Sequence, residues 1–152
     1  MKRIGIFPGS FDPFTKGHYS IVERALSFMD EIIIGVAVNS DKHTMFSKEK
    51  RVQMIQELYK DNPRVSVEAF EEITTDFAKK KNAGFIIRGI RTADDFQYED
   101  TVAYVYRQIS GIETILLFTE PDLIHVSSTI VRELLRYHKD VSQFLPEGMK
   151  ID

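Results

Sequence analysis

Short apolar runs alternate with longer amphipathic segments along the whole chain. Runs of mostly β-branched and apolar residues predict strands that are buried on both faces, at residues 3–7, 31–38, 65–70, 85–88 and 114–118. Apolar residues spaced three to four apart predict helices at residues 17–29, 48–59, 75–81, 94–109 and 128–137. A strand followed by a helix, five times over, predicts a doubly wound α/β fold with a five-stranded parallel sheet, in a single domain of residues 1–152.

The loop after the first predicted strand has the features of a phosphate site. Ligands of doubly wound sheets bind beyond the carboxyl ends of the strands, so these loops are where chemistry is expected. In residues 7–18, Gly9 and Gly17 allow close approach of the backbone, and Ser10 offers a hydroxyl. His18 falls in the first turn of a helix, where free N–H groups favour phosphate. A capped turn with a surface histidine is the alternative, and the convergence of these residues favours a binding site.

Two arginines and a carboxylate follow the fourth predicted strand. Arg88 and Arg91 flank Gly89-Ile90. Guanidinium groups suit phosphate oxygens and also stack on bases, although solvated surface arginines explain the segment equally well when it is viewed alone. Glu99, in the following helix, either orients an arginine, accepts from a ribose, or is a plain surface carboxylate.

Hydroxyl groups and a lysine occur in two further loops. Ser127, Ser128 and Thr129 open a helix after the fifth strand and exceed the single hydroxyl that an N-cap needs. The spare hydroxyls and the helix amides could bind another phosphate. Lys42, after the second strand, could reach the same crevice as a point charge, although a lone loop lysine is usually just solvated.

Composition excludes several function classes. With 20 basic and 23 acidic residues the net charge is -3, so no general nucleic-acid surface is expected. There is no cysteine, which excludes disulfides, zinc–thiolate sites and thiol catalysis. The strongest apolar stretch, residues 32–38, is too short to span a membrane, and a cytoplasmic protein is expected. Neither a P-loop motif nor a Gly-x-Gly-x-x-Gly fingerprint occurs.

Several of these segments resemble a known family. Thr-Lys-Gly-His at residues 15–18 and Val-Ser-Ser-Thr-Ile-Val-Arg at residues 126–132 are similar to the two motifs of the nucleotidylyltransferase superfamily. Within it, the chain resembles the bacterial phosphopantetheine adenylyltransferases over residues 3–146. That closer resemblance rests on Pro-Gly-Ser-Phe-Asp-Pro at 8–13, Arg-Gly-Ile-Arg at 88–91, Asp-Phe-Gln-Tyr-Glu at 95–99 and Phe-Leu-Pro at 144–146.

The resemblance implies a reaction and a set of site residues. It implies a Rossmann-like nucleotidylyltransferase fold. It also implies an enzyme that transfers AMP from ATP to 4'-phosphopantetheine, giving dephospho-CoA and pyrophosphate, with Mg²⁺ as cofactor. It also implies a homohexamer that CoA inhibits at the same site. The implied catalytic residues are His18, which stabilises the transition state, Lys42 and Arg91. The implied ATP-binding residues are Ser10, Phe11, His18, Gly89, Ile90, Arg91, Glu99, Leu123, Ile124, His125, Val126, Ser127, Ser128 and Thr129. The implied phosphopantetheine-binding residues are Ser10, Lys42, Thr74 and Arg88.

The chemistry of such a reaction agrees with the residues found. A phosphate monoester is already an anionic nucleophile near neutral pH, so the protein must position two phosphates and neutralise charge rather than supply a base. Two alternatives stay open from the sequence. One is another enzyme of the superfamily that transfers CMP or AMP to a different small phosphate. The other is a non-catalytic module that binds a nucleotide or CoA.

Overall fold

The computed structural model describes residues 1–151, in which strands and helices alternate in the predicted order. The strands are β1 (Ile4–Gly9), β2 (Glu31–Ala37), β3 (Val65–Phe70), β4 (Phe85–Ile90) and β5 (Glu113–Phe118). The helices are α1 (Lys16–Ala25), α2 (Lys48–Leu58), α3 (Thr74–Lys80), α4 (Ala93–Ser110) and α5 (Ser128–Arg136). Short 3-10 turns at Pro121–Leu123 and Ser142–Phe144 precede and follow α5. Among residues 1–151, no helix is long and apolar enough to cross a membrane.

The sheet is parallel throughout and has the strand order β3-β2-β1-β4-β5, which confirms the predicted doubly wound fold. The chain starts at the centre with β1, extends to one edge through β2 and β3, and then returns to the other side of β1 for β4 and β5. Apolar side chains of α1 and α2 cover one face, and those of α3 and α4 cover the other. The strand order reverses between β1 and β4, so the loops that leave these two strands diverge and open a crevice.

The adjacent strands β1 and β4 each run two residues further than predicted. Pro8 and Gly9 continue β1, where they lie opposite Gly35 and Val36 of β2. Gly89 and Ile90 extend β4 beyond its predicted end at Arg88 and pair with β5, so Arg88 to Ile90 form the end of the strand and Arg91 follows it. Pro and Gly normally disfavour strands. Here the neighbouring strands hold them in an extended backbone, which brings their side chains and carbonyl groups to the rim of the sheet.

A helix and a strand approach closely at Gly35 in the middle of β2. A Cβ atom at this position would lie 2.9 Å from Cε1 of Phe70 and 3.1 Å from Cε2 of Phe77. These two rings stack with centroids 4.5 Å apart. The absence of a side chain at residue 35 thus leaves room for the stacked rings of Phe70 and Phe77, through which α3 packs on the sheet.

Candidate active site

A cavity of about 350 Å³ lies at the carboxyl ends of β1 and β4, where α1 and α5 begin; we call it the α5 cavity. Loops from distant parts of the chain meet there, as the topology predicts. The predicted site residues that line it are Ser10, Phe11, His18, Lys42, Arg88, Gly89, Arg91, Glu99, Val126, Ser127, Ser128 and Thr129.

A second cavity of about 410 Å³ lies beside the first, against the inner side of α4; we call it the α4 cavity. Thr74, at the start of α3, lines it, and so do Tyr106 of α4 and Thr114 of β5. Both cavities share a wall formed by Pro8, Gly9, Ser10, Lys42, Arg88 and Glu99. Two ligands bound in the two cavities would therefore meet at this wall.

The imidazole of His18 is held as a neutral hydrogen-bond donor. Its Nδ1 accepts a hydrogen bond from the backbone N–H of Thr15 at 2.9 Å, so the proton of the neutral ring lies on Nε2. The rings of Phe7, Phe11 and Phe14 surround it, with centroids 6.2, 5.0 and 5.3 Å away. Burial lowers the pKa of His18 from 6.5 to about 3, and the positive charges of Arg88 and Arg91 contribute to this shift to a smaller extent. His18 can thus donate to an anion but does not exchange protons near neutral pH.

The lowered pKa predicts how stability depends on pH. Between pH 6.5 and 3 the unfolded chain binds a proton at His18 that the folded chain does not. The stabilisation that comes from keeping His18 neutral is therefore complete above pH 6.5 and is lost as the pH falls toward 3, by up to about 1.4 kcal/mol per pH unit. As the pH falls from 7 to 4, we expect the unfolding free energy of the wild type to decrease more than that of His18→Asn, which has no imidazole at this position. A difference that stays constant over this range in urea titrations would show that the ring titrates normally.

Arg88 and Glu99 form a pair that fixes the guanidinium in the shared wall. The Nε and Nη2 atoms of Arg88 donate to the Glu99 carboxylate over 2.8–3.1 Å, and Nη1 donates to the carbonyl of Pro8 at 2.7 Å. Glu99 is 6% exposed, so its interpretation as a surface carboxylate is wrong. The geometry matches the other interpretation, in which Glu99 orients an arginine. Three of the five N–H groups of Arg88 are engaged in this way.

Lys42 reaches the wall from the loop after β2. Its Nζ donates to the hydroxyl of Ser10 at 3.3 Å, across 32 positions of sequence. The ammonium group thus lies at the same crevice as the first loop, as predicted, and it belongs to the lining of both cavities. Arg91 lies further out in the α5 cavity, where its Nε is 4.0 Å from the Asp95 carboxylate.

The three hydroxyl groups before and within α5 all have partners inside the protein. Ser127 accepts from the backbone N–H of Ile130 at 3.2 Å and caps the helix. Ser128 donates to the carbonyl of Pro13 at 2.7 Å, and Thr129 accepts from Arg132 at 3.3 Å. Ser127 and Thr129 act only as acceptors in these bonds, so their O–H groups can still donate to a phosphate, and the assignment of the three hydroxyls to ATP stays a prediction. The Ser128 bond joins α5 to the first loop, whereas the other two bonds are local to α5. The first turn of a helix has backbone N–H groups without intrahelical acceptors, which suit an anion.

Four predicted ATP-binding residues do not line either cavity: Ile90, Leu123, Ile124 and His125. Ile90 is buried at the end of β4, and its carbonyl accepts from the N–H of Thr119. His125 packs against Phe144, with ring centroids 6.3 Å apart. Phe11 lines the α5 cavity, but its 3% exposed ring packs chiefly among aromatic neighbours. The assignment of these residues to ATP rests on the resemblance alone.

Three further residues in or next to the site were given no role from the sequence: Asp12, Arg51 and Arg132. Asp12 and Arg51 are each 3% exposed, although a loop carboxylate and a helix arginine are normally solvated. Arg132 donates to the carbonyl of Asp12 at 2.9 Å and lines the α5 cavity. Asp12 and Arg132 lie within the motif segments 8–13 and 126–132, which was the available signal for them, whereas nothing in the sequence marked Arg51.

Residues 6–134 match the family model described as cytidylyltransferase-like. A phosphopantetheine adenylyltransferase of Bacteroides thetaiotaomicron is 64% identical over 99% of both chains, and one of Phocaeicola vulgatus is 63% identical over the same share. A further one, from Porphyromonas gingivalis, is 45% identical over 99% of both chains. This chain belongs to the phosphopantetheine adenylyltransferase family. It is an adenylyltransferase of coenzyme A biosynthesis, which confirms the predicted family and activity.

A solved structure supports the fold of this adenylyltransferase. A bifunctional NMN adenylyltransferase/ADP ribose pyrophosphatase from Francisella tularensis superposes with a TM-score of 0.73 at 22% identity. The match covers the whole of this chain and 46% of the other, so the chain spans less than half of that bifunctional protein. At this identity the likeness concerns the fold alone, and it confirms the predicted nucleotidyltransferase architecture.

Proposed function

We propose that this adenylyltransferase binds ATP in the α5 cavity and 4'-phosphopantetheine in the α4 cavity, with the reacting phosphates at the shared wall. The observation that supports this arrangement is the wall itself. Ser10, Lys42 and Arg88 border both cavities and offer a hydroxyl, an ammonium and a guanidinium. Two negatively charged phosphates approach each other only where cations offset their repulsion. The wall provides the ammonium group of Lys42 and the guanidinium of Arg88, whose charge the Glu99 carboxylate partly offsets.

The proposed step exchanges one phosphoanhydride bond for another. An oxygen of the 4'-phosphate attacks the α-phosphorus of ATP and forms a new P–O bond. The bond from the α-phosphorus to the oxygen that bridges to the β-phosphate breaks, and pyrophosphate leaves with that electron pair. The nucleophile is already an anion, so no residue needs to remove a proton. The protein contributes alignment and charge stabilisation.

Each predicted catalytic residue has a place in this arrangement. His18 donates its Nε2–H to an oxygen of the α-phosphate, and the neutral ring suits this role because it neither gains nor loses a proton. Lys42 holds the acceptor phosphate with Arg88, while Arg91 offsets charge on the leaving pyrophosphate. Glu99 acts by orienting Arg88 rather than by contacting ATP, because Arg88 engages both of its carboxylate oxygens.

Magnesium is proposed to arrive with ATP. Carboxylates in the cavity linings are engaged: Asp12 accepts from backbone amides, Glu99 accepts from Arg88, and Asp95 caps α4. Among residues 1–151, no cluster of three or more potential metal-ligating side chains occurs. The described residues thus offer no ready-made cage for Mg²⁺, which would be held mainly by phosphate and water oxygens. No step is assigned to the ion.

The homohexamer and inhibition by CoA are also proposed. Within α4, an 18-residue helix, Glu99 is the buried residue, while Phe96, Tyr98, Tyr104, Val105 and Ile109 are 46–66% exposed. Apolar side chains exposed together on one helix are typical of an interface, and here we assign them to other copies of the chain. CoA contains a pantetheine arm and an adenine nucleotide, so it would occupy the α4 cavity, the α5 cavity and the wall between them.

The activity is tested by pyrophosphate release from ATP and 4'-phosphopantetheine with the purified protein and Mg²⁺. We expect release to require the 4'-phosphate, so that pantetheine without it gives none, and to fall sharply when CTP replaces ATP. CoA should compete with both substrates, and the active species should have six times the chain mass in sedimentation. Comparable rates with other small phosphate monoesters would show that the α4 cavity does not select the pantetheine arm.

A further inference from the structure

The loop that contains Lys42, residues 38–47, is mostly exposed but is attached at one end by two buried charged residues; we call it the Lys42 loop. Residues 39–43 are exposed, and Asn39 and Asp41 interact within the loop itself. Asp12 comes from the β1–α1 loop and Arg51 from α2, and each is 3% exposed. Charged side chains are rarely this buried unless specific partners hold them.

Asp12 accepts hydrogen bonds from two successive amides of the Lys42 loop. Its Oδ2 accepts from the N–H of Met45 at 2.8 Å, and its Oδ1 accepts from the N–H of Phe46 at 2.9 Å. Both oxygens must act as acceptors at once, which an ionised carboxylate does and a carboxamide cannot. The first loop of the site therefore determines where the end of the Lys42 loop lies.

Arg51 attaches the same loop from the other side. Its Nε donates to the carbonyl of Phe46 at 3.2 Å, and its Nη1 donates to the carbonyls of Ser10 at 2.7 Å and Ala37 at 3.2 Å. Phe46 is thus held through its N–H by Asp12 and through its carbonyl by Arg51. Ser10 is in turn the residue whose hydroxyl accepts from Lys42.

We infer that Asp12 and Arg51 are positioning residues for the reaction, which hold the Lys42 loop so that the ammonium group of Lys42 faces the acceptor phosphate. This inference rests on the proposed role of Lys42. A flexible lysine in an exposed loop would lose conformational entropy on binding, and a loop fixed in advance avoids most of that loss. The expected consequence is specific to one substrate. Weakening the attachment should raise the KM for 4'-phosphopantetheine and leave the KM for ATP nearly unchanged.

A contact with Arg132 provides the rival explanation. Arg132 donates to the backbone carbonyl of Asp12 at 2.9 Å and lies 4.0 Å from its Oδ2. Replacement of the side chain leaves the carbonyl in place. If Asp12 acted mainly through Arg132, which lines the α5 cavity and not the α4 cavity, the affected substrate would be ATP.

The test is Asp12→Asn, with Asp41→Asn as the matched control. We expect Asp12→Asn to raise the KM for 4'-phosphopantetheine about tenfold, as expected for a lost hydrogen bond to a charged group, with an ATP KM within about twofold of wild type. Hydrogen exchange should quicken in a peptide that covers residues 38–47. Asp41→Asn removes the same charge from the exposed part of the loop and should change none of these values. Arg51→Lys, which keeps the charge but not the planar group, should act in the same direction as Asp12→Asn.

A double-mutant cycle separates this inference from the proposed role of Lys42. In a Lys42→Ala background, Asp12→Asn should have almost no further effect on the acceptor, because the side chain that it positions is gone. Additive effects, equal losses for both substrates, or a rise in the ATP KM alone would overturn the inference. If Lys42→Ala itself leaves the KM for 4'-phosphopantetheine unchanged, the proposed role of Lys42 is wrong, and the inference that rests on it is overturned with it.

Discussion

Replacement of His18 by alanine should lower kcat by about 10²–10³-fold, with small changes in the KM of either substrate. The Nε2–H group donates to an oxygen whose charge grows in the transition state, so its loss affects the chemical step more than binding. Because Nδ1 is occupied by the backbone N–H of Thr15, Nε2 is the ring atom available to the α-phosphate. Initial rates of pyrophosphate release at saturating ATP and 4'-phosphopantetheine measure the effect.

Two further substitutions separate the catalytic role of His18 from its role at the start of α1. Asparagine places an acceptor near the position of Nδ1 and should preserve the bond from Thr15, whereas glutamine places an N–H near the position of Nε2. We expect His18→Asn to fold as stably as the wild type at pH 7 and to be as slow as His18→Ala, and His18→Gln to recover part of the rate. His43→Ala, in an exposed loop, should behave as the wild type. Full adenylyl transfer by His18→Ala would remove the imidazole from the mechanism.

Replacement of Lys42 by alanine should weaken the binding of 4'-phosphopantetheine by about 10–100-fold and the binding of ATP by much less. A charge-assisted hydrogen bond to phosphate is worth about 1.5–3 kcal/mol, which corresponds to a change of this size in affinity. Lys42 borders both cavities, but the proposed arrangement places the acceptor phosphate against it, while the amides of α1 and α5 and Arg91 remain for ATP. Separate KM determinations for the two substrates, or calorimetric titration with each one, measure the difference.

A matched control removes the same charge elsewhere. Lys139 is exposed and lines neither cavity, so Lys139→Ala should leave both KM values unchanged. Equal losses of ATP and acceptor in Lys42→Ala would mean that the ammonium group stabilises the triphosphate, or the fold of the crevice, rather than the acceptor phosphate.

The fold and the place of the site follow from local patterns in the sequence. Buried parallel strands are continuous apolar runs, and alternation with helices determines the direction of every connection. Their carboxyl ends then share one rim, so Ser10, His18, Lys42 and Arg88 were predicted to meet although up to 78 positions separate them. The ends of β1 and β4 were predicted two residues too early, at Phe7 and Arg88, because pairing with β2 and β5 overrides the low strand propensity of Pro and Gly.

The supporting contacts of the site could not be predicted in the same way. Arg51 occupies a helix position that would ordinarily be solvated, and the three carbonyls that bury it come from separate elements. The two oxygens of Asp12 find their amides more than 30 positions away. For Glu99 the sequence favoured a solvated surface carboxylate over contact with ribose or arginine, because the pattern of α4 does not show that its inner side meets the end of β4. Such contacts depend on the packing of whole elements, not on local propensity.

The aromatic enclosure of His18 has a consequence for how the enzyme serves both directions of the reaction. Since the ring stays uncharged, His18 needs no proton exchange with solvent between turnovers, whichever pair of reactants binds. By microscopic reversibility, dephospho-CoA and pyrophosphate meet the same groups in the same states as ATP and the acceptor do. One phosphoanhydride is traded for another of similar energy, so net flux is governed by the concentrations of pyrophosphate and product around the enzyme.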